Sequence, residues 1–429
     1  MMKLFPCLLI AISCVMAPGA ALAQTPVLLR TFTVLTGGVS AEVAALGNDR
    51  VLIGGSLLFN TNGTLLTNFT ITPSMPIGFG GAITTLGNDR VVIGSTYGGN
   101  VYLFTTNGAL VTNISVYSVS AVVGVGNDKL LIGDNYANEN PDTWDVYGAA
   151  YLYSTNGALL TTFTNPNPGA VTGLGFSVAA FGSDRVLIGA STEWPVTGSA
   201  YLFRTNGTLL MTFTNPAPSI YDYFGHSIAA VGTDRVLVGS PAEDTPAEEV
   251  YLFNTNGTLL TTITNPTPAA GDRFGWRMAV LGNDRVVIGA PHDDTTGVNS
   301  GSAYVFSLNG TLLATINNPS PGFGSQFGRS LAAFGNESVI IGTSDGSAYL
   351  FSIPGTPVAL SLTIRRTTTS TVVVSWPSAA TDFTLQQNTN GLSSANWSNI
   401  TAGIQNDGAN KSLIVNPTGA SRFYRLVHP

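Results

Sequence analysis

Apolar residues in this chain fall in short runs, and no stretch repeats them at a helical period. The commonest run follows a Gly-Asn-Asp turn. GNDRVLIG (47–54) and GNDRVVIG (87–94) both lead from turn residues into β-branched ones. A second run lies upstream, such as HSIAAV (226–231) or RSLAAF (329–334), and a third of AYLF type lies downstream, at 200–203 and 348–351. A TNG triplet then precedes a fourth, for example ALLTTFTN (158–165). Asn-Gly tolerates the positive φ that a type I′ hairpin needs at both central residues, so the third and fourth runs pair across it. The pattern predicts four antiparallel strands per unit.

The unit recurs seven times. Its Gly-Asn-Asp phrase starts at 47, 87, 126, 182, 232, 282 and 335, and Asn-Gly hairpins follow at 62–63, 107–108, 156–157, 206–207, 256–257 and 309–310. Spacings of roughly 40–55 residues are those of propeller blades. The seventh copy reaches AYLFS (348–352) and then reads IPGTP, without a fourth strand. Near the start, VLLRTFTVL (27–35) reads like that strand without its turn. The expected fold is therefore all-β: a seven-bladed β-propeller over 24–352, closed by the N- and C-terminal strands so that no edge lies open between blades.

The flanks differ. Residues 353–359 read as a linker, and 360–429 as short alternating strands with Trp376 and Tyr424. That tail resembles a small immunoglobulin- or fibronectin-III-like β-sandwich. Residues 1–23 have one lysine, an apolar run from Leu4 to Met16 and Ala21-Leu22-Ala23, the three regions of a cleaved signal peptide. A lipoprotein cut before Cys14 would follow Ala11-Ile12-Ser13, a poor lead-in. Both cysteines lie in this leader, so the expected product is exported and held by core burial rather than disulfides. Its place is outside the cell or on the cell surface. Charged residues are 10% and the net charge is −7, with no basic patch, which argues against nucleic acid. No second apolar run is long enough for a transmembrane anchor.

Phe-Gly stands before or at the first strand at 79–80, 224–225, 274–275 and 327–328, and Gly-Ala-Pro ends the second at 289–291, with variants GAS (189–191) and GSP (239–241). This resembles the FG-GAP repeats of integrin-α-type propellers and of secreted bacterial proteins, over residues 27–352. WD40 and kelch signatures, a Trp-Asp repeat or paired glycines, do not appear. The resemblance implies a calcium loop between the first two strands of a blade. Here that loop has shrunk to Gly-Asn-Asp, and one carboxylate cannot supply six to eight oxygens. No calcium site is carried over to Asp49, Asp89, Asp128, Asp184, Asp234 or Asp284, and no cofactor is expected.

A feature in every blade reads as architecture, and a feature in one blade needs its own reason. Asp-Arg or Asp-Lys follows the turn in six copies, where the acid suits the turn and the basic stem can cover apolar strand surface. Asn-Gly-Thr triplets match a glycosylation sequon, but their hairpin position already explains them. Aligned first strands place Ala41, Gly81, Ser120, Phe176, His226, Trp276 and Arg329 in one column. Phe176, His226, Trp276 and Arg329 either surround a channel mouth, where they could stack on a sugar or hold a carboxylate, or plug the channel and pack between blades. Trp144 and Trp194 sit in variable loops after the second strand and are further ligand-binding candidates. His292, Asp293 and Asp294 lie in the same loop class. They read as a solvated acidic loop, with Asp293 and Asp294 as weak candidates for a divalent ion. No nucleophile elbow, zinc motif or phosphate loop is present, so no enzyme is expected. The expected role is extracellular binding or adhesion toward a protein, matrix or glycan. Rival readings are a polysaccharide lyase or glycosidase and a structural surface component.

Overall fold

The computed structural model describes residues 25–34, 41–72, 74–137, 147–167, 173–191, 198–219, 221–242, 247–354, 362–367, 371–377, 384–389, 396–407, 410–416 and 422–427. Every regular element among them is a strand. The chain divides into two units at Pro354 and Gly355, inside the expected linker.

The first unit holds seven four-stranded antiparallel sheets. In six, the strands pair in chain order: 43–68 (sheet one), 79–115 (two), 121–163 (three), 174–214 (four), 227–264 (five) and 277–317 (six). Sheet seven has Ser330–Phe334, Ser338–Gly342 and Ser347–Ser352, and its fourth place is taken by Val27–Thr33. Val27 lies opposite Ser352 and Thr33 opposite Ser347. This early strand packs as the others do. Outer-strand phenylalanines meet the third strand of the following sheet at Phe69–Phe104 (5.2 Å), Phe163–Phe203 (5.3 Å) and Phe213–Phe253 (5.4 Å), and Phe32–Phe59 (5.5 Å) repeats the contact between sheets seven and one. Each innermost strand lies beside the next, and that of sheet seven lies beside that of sheet one. There the Val43 amide donates to Ser330 Oγ at 3.0 Å.

This packing explains the apolar runs. The second strand of each sheet has a neighbouring sheet on both faces, so Val186, Leu187 and Ile188 are all fully buried without alternation. The outer strand has one protected face, and in Leu259–Thr264 only Ile263 is buried.

The sheets approach most closely where the second strand ends. A Cβ added to Gly289 would lie 2.1 Å from the Gly328 carbonyl oxygen. The same holds for Gly133 with Gly175 (2.0 Å), Gly189 with Gly225 (2.2 Å) and Gly239 with Gly275 (2.5 Å). The glycine that closes the second strand of one sheet thus meets the glycine that opens the next. Sheet four opens on Leu174-Gly175 instead of Phe-Gly, and Leu174 is as buried as the phenylalanines.

The Gly-Asn-Asp turns cluster at the other end of the strands, and their arginines do more than cover apolar surface. Arg50 Nη2 donates to the Asn88 carbonyl (2.7 Å), Arg90 to Asn127 (2.7 Å), Arg185 to Thr233 (3.0 Å), Arg235 to Asn283 (3.1 Å) and Arg285 to Asn336 (2.6 Å). Each clasps the turn of the following sheet, while its neighbouring aspartate steadies it from an exposed position. Arg285 also donates to the Ile353 (3.2 Å) and Pro354 (2.9 Å) carbonyls, which ties down the exit of the last strand.

The second unit pairs Thr363–Arg366, Val372–Pro377, Asn410–Val415 and Ile404–Asn406 in one sheet, and Ser398–Asn399, Thr384–Asn388 and Phe423–Val427 in another. Trp376 is 2% exposed in a cluster with Val372, Val374 and Leu385, against which Tyr424 and Leu426 pack.

The glycine contact is testable. Gly289 has no positive φ, so only the neighbouring backbone excludes a side chain there. Gly289→Ala is expected to lower unfolding free energy by about 1–3 kcal/mol in a urea titration. Gly322→Ala, at an exposed loop position of ordinary φ, should cost less than about 0.5 kcal/mol.

Candidate functional site

The residue just after each opening glycine stands at the start of its sheet's innermost strand. At this position Phe176, His226 and Trp276 form a continuous row of tilted ring contacts, with centroids 4.7 Å and 4.1 Å apart. Sheets two and three carry Gly81 and Ser120 instead, and that side stays open. A cavity of about 1200 Å³ results, walled on one side by Phe176, Arg277 and Arg329. Its other wall comes from the loops of sheets one to three, with Tyr97, Tyr117 and Tyr136 exposed by 85%, 69% and 49%. A smaller cavity of about 160 Å³ lies deeper, reaching His226.

The column therefore splits. Phe176 and Arg329 line the large cavity, whereas His226 is 5% exposed and serves as packing between Phe176 and Trp276. Trp276 carries the Arg273 guanidinium over its ring at 4.9 Å. In sheet one the column residue Ala41 is 1% exposed, and its neighbour Glu42 lines both cavities. Sheet one lacks the opening glycine but keeps the common register: Val43 pairs with Ile53 as Ile228 does with Val238, so Glu42 stands where Arg277 stands in sheet six. Arg277 and the three tyrosines were also missed, because they lie beside the column or in loops without a shared pattern. Trp144 and Trp194 lie outside the described residues.

Burial holds His226 well below the ordinary imidazole range, and Arg277 and Arg273 push it the same way, so the ring is neutral at neutral pH. Burial likewise lowers Arg277, which Glu42 raises and Arg329 lowers further. Three residues before Phe-Gly adopt left-handed backbone: Tyr223 (φ 52°), Arg273 (φ 61°) and Gln326 (φ 53°), where sheets two and four use Gly78 and Gly173. A non-glycine residue there costs about 1–2 kcal/mol. Two of these side chains order the cavity's wall: Arg273 covers Trp276, and Gln326 Oε1 accepts from Arg329 Nη1 at 2.8 Å.

The loop after sheet six's second strand feeds this wall. His292 Nε2 meets Gln326 Nε2 at 3.1 Å, and Gln326 in turn holds Arg329. The adjacent acids are not a solvated pair. Asp293 is 1% exposed and accepts from Tyr304 Oη and, at 2.7 Å, from the Thr295 amide. Asp294 accepts from the Asn299 amide at 2.6 Å. Each carboxylate thus holds its own part of the loop, with no group of three or more metal-ligating side chains among the described residues.

One acid is out of pattern. Glu248 stands where sheets three, four and six have Gly148, Gly198 and Gly301, and it is fully buried. Its carboxylate accepts from the Arg273 (2.6 Å) and Phe274 (2.8 Å) amides of the next sheet. Burial outweighs these bonds and pushes the group up to about 7, with Asp272 adding repulsion.

The FG-GAP repeat model matches residues 259–306, the segment that holds Phe274-Gly275 and Gly289-Ala290-Pro291. Among solved structures, the WD40 β-propeller domain of Doa1 superposes with a TM-score of 0.56 over 77% of this chain and 98% of its own, at 13% identity. The fold is a β-propeller. No curated protein matches the sequence. The likeness to a WD40 domain lies in the backbone, whereas the sequence of residues 259–306 matches the FG-GAP repeat. Among the described residues no helix is long and apolar enough to cross a membrane.

Glu248 makes the propeller's stability depend on pH. A carboxyl raised from 4.5 to about 7 favours the folded state fully below pH 4.5, and the advantage is lost as pH rises through 7. The loss is on the order of 3 kcal/mol. Glu248→Gln should remove this slope. Urea titrations at pH 5, 6, 7 and 8 should show wild type losing ground to the variant as pH rises, and a constant gap would rule the assignment out.

Proposed function

We propose that this chain is an exported seven-bladed propeller, closed by its own ends, that binds an extracellular ligand in the lopsided mouth between the loops of sheets one to three and the wall of sheets four to seven. The observation that carries this reading is the cavity itself. About 1200 Å³ exceeds the usual range for a single small molecule, roughly 300–1,000 Å³, so it has room for part of a polymer. Exposed Tyr97, Tyr117 and Tyr136 offer flat, stiff surfaces that lose little entropy on contact, as sugar rings or aromatic side chains require. Among the described lining residues Glu42 is the one carboxylate, a set suited to holding a ligand more than to chemistry that needs a carboxylate pair. We read the second unit as the reduced immunoglobulin- or fibronectin-III-like module, a spacer, on the strength of its Trp376 cluster.

Screening the full mature chain against glycan and matrix-protein panels should yield a ligand that raises its melting temperature. Tyr97→Ala and Tyr117→Ala should each weaken that ligand about tenfold by calorimetry without lowering the melting temperature of the free protein. A ligand whose affinity is unchanged in both variants binds elsewhere. Absence of any ligand, together with self-assembly of the pure protein, would make it a structural component.

A further inference from the structure

Resting on that reading, we infer that the mouth selects anionic glycans, seating a carboxylate of a uronate residue on Arg329 and Arg277 while the sugar faces lie on Tyr117, Tyr97 and Phe176.

The charge distribution points to an anion. The protein carries a net charge of −7, yet its cavity gathers two guanidinium groups against the single carboxylate of Glu42. A local positive field inside a negative protein is a specific device, and it is strongest where water is scarce. Arg329 is only partly satisfied: Nη1 is held by Gln326 at 2.8 Å, while Nε is shielded from solvent and has no partner. A planar carboxylate on the cavity side of the guanidinium would add charge-assisted bonds to the one that Gln326 makes. The guanidinium is also preset, because His292 meets Gln326 and Gln326 holds Arg329. An aromatic and guanidinium lining suits a ligand with apolar faces and a charged edge. A sugar acid has both, and inorganic phosphate has only the charge.

The test uses the full mature chain, an oligouronate and the same oligosaccharide with its carboxyl groups reduced to alcohols. By calorimetry the oligouronate should bind at least tenfold more tightly, and its affinity should fall as salt rises from 50 to 500 mM. Arg329→Gln should remove most of that preference while leaving the neutral oligosaccharide unaffected, and Arg329→Lys should restore part of it. Arg277→Gln, with its melting temperature checked, provides the second variant. Equal binding of the two oligosaccharides, still weakened by Tyr117→Ala, would overturn the anion selectivity and leave the mouth reading standing. Equal loss of both ligands in Arg329→Gln would reduce Arg329 to a structural role and likewise overturn it. Failure of both oligosaccharides to bind, alongside a Tyr117-dependent peptide ligand, would overturn the glycan assignment.

Discussion

Two backbones can run in contact only where neither carries a side chain, and this chain meets that condition at the four junctions from sheet three to sheet seven, where a closing glycine faces an opening one. From Gly133–Gly175 to Gly289–Gly328, even one carbon on the closing glycine would sit within about 2.5 Å of its neighbour's carbonyl oxygen. The contact sets how closely the inner strands gather. It also fixes the direction of the next side chain, since Phe176, His226, Trp276 and Arg329 each follow an opening glycine directly. The size of that one residue then decides whether its side of the ring is filled or open. Small residues in sheets two and three and large ones in four to seven produce a mouth that is empty on one flank only.

The opposite end of the strands is held by a different chemistry. There the turn arginines reach across to main-chain carbonyls, and the conspicuous aspartates beside them stay exposed. Charge serves position at that end, and in our proposal it serves recognition at the mouth. The mouth also accepts local cost: left-handed Tyr223, Arg273 and Gln326 stand where glycine would be easier, and Glu248 is buried near neutrality. Such departures from the repeat gather in sheets five to seven, around the same wall.

Most of the fold was legible because repetition exposes it. The strand order within each sheet, the early strand that joins sheet seven and the glycine positions follow from phrases written seven times. The site was legible only in part. Phe176 and Arg329, which break a repeated column, line the cavity, and His226 from the same column packs between Phe176 and Trp276. Glu42 escaped because it stands one residue past the column, at the place Arg277 takes in sheet six. The tyrosines escaped because loop residues obey no period. Asp293 looked solvated because sequence cannot show that Tyr304, eleven residues on, donates to it from the adjacent strand.

The central claim is that ligand enters between the loops of sheets one to three and the wall of sheets four to seven. Amide hydrogen exchange on the full chain, with and without the oligouronate, tests it most directly. The account predicts added protection at 75–81, 117–120 and 135–136 and around Arg329, with the Gly-Asn-Asp turns unchanged. Protection confined to those turns, or to residues 362–427, would contradict it.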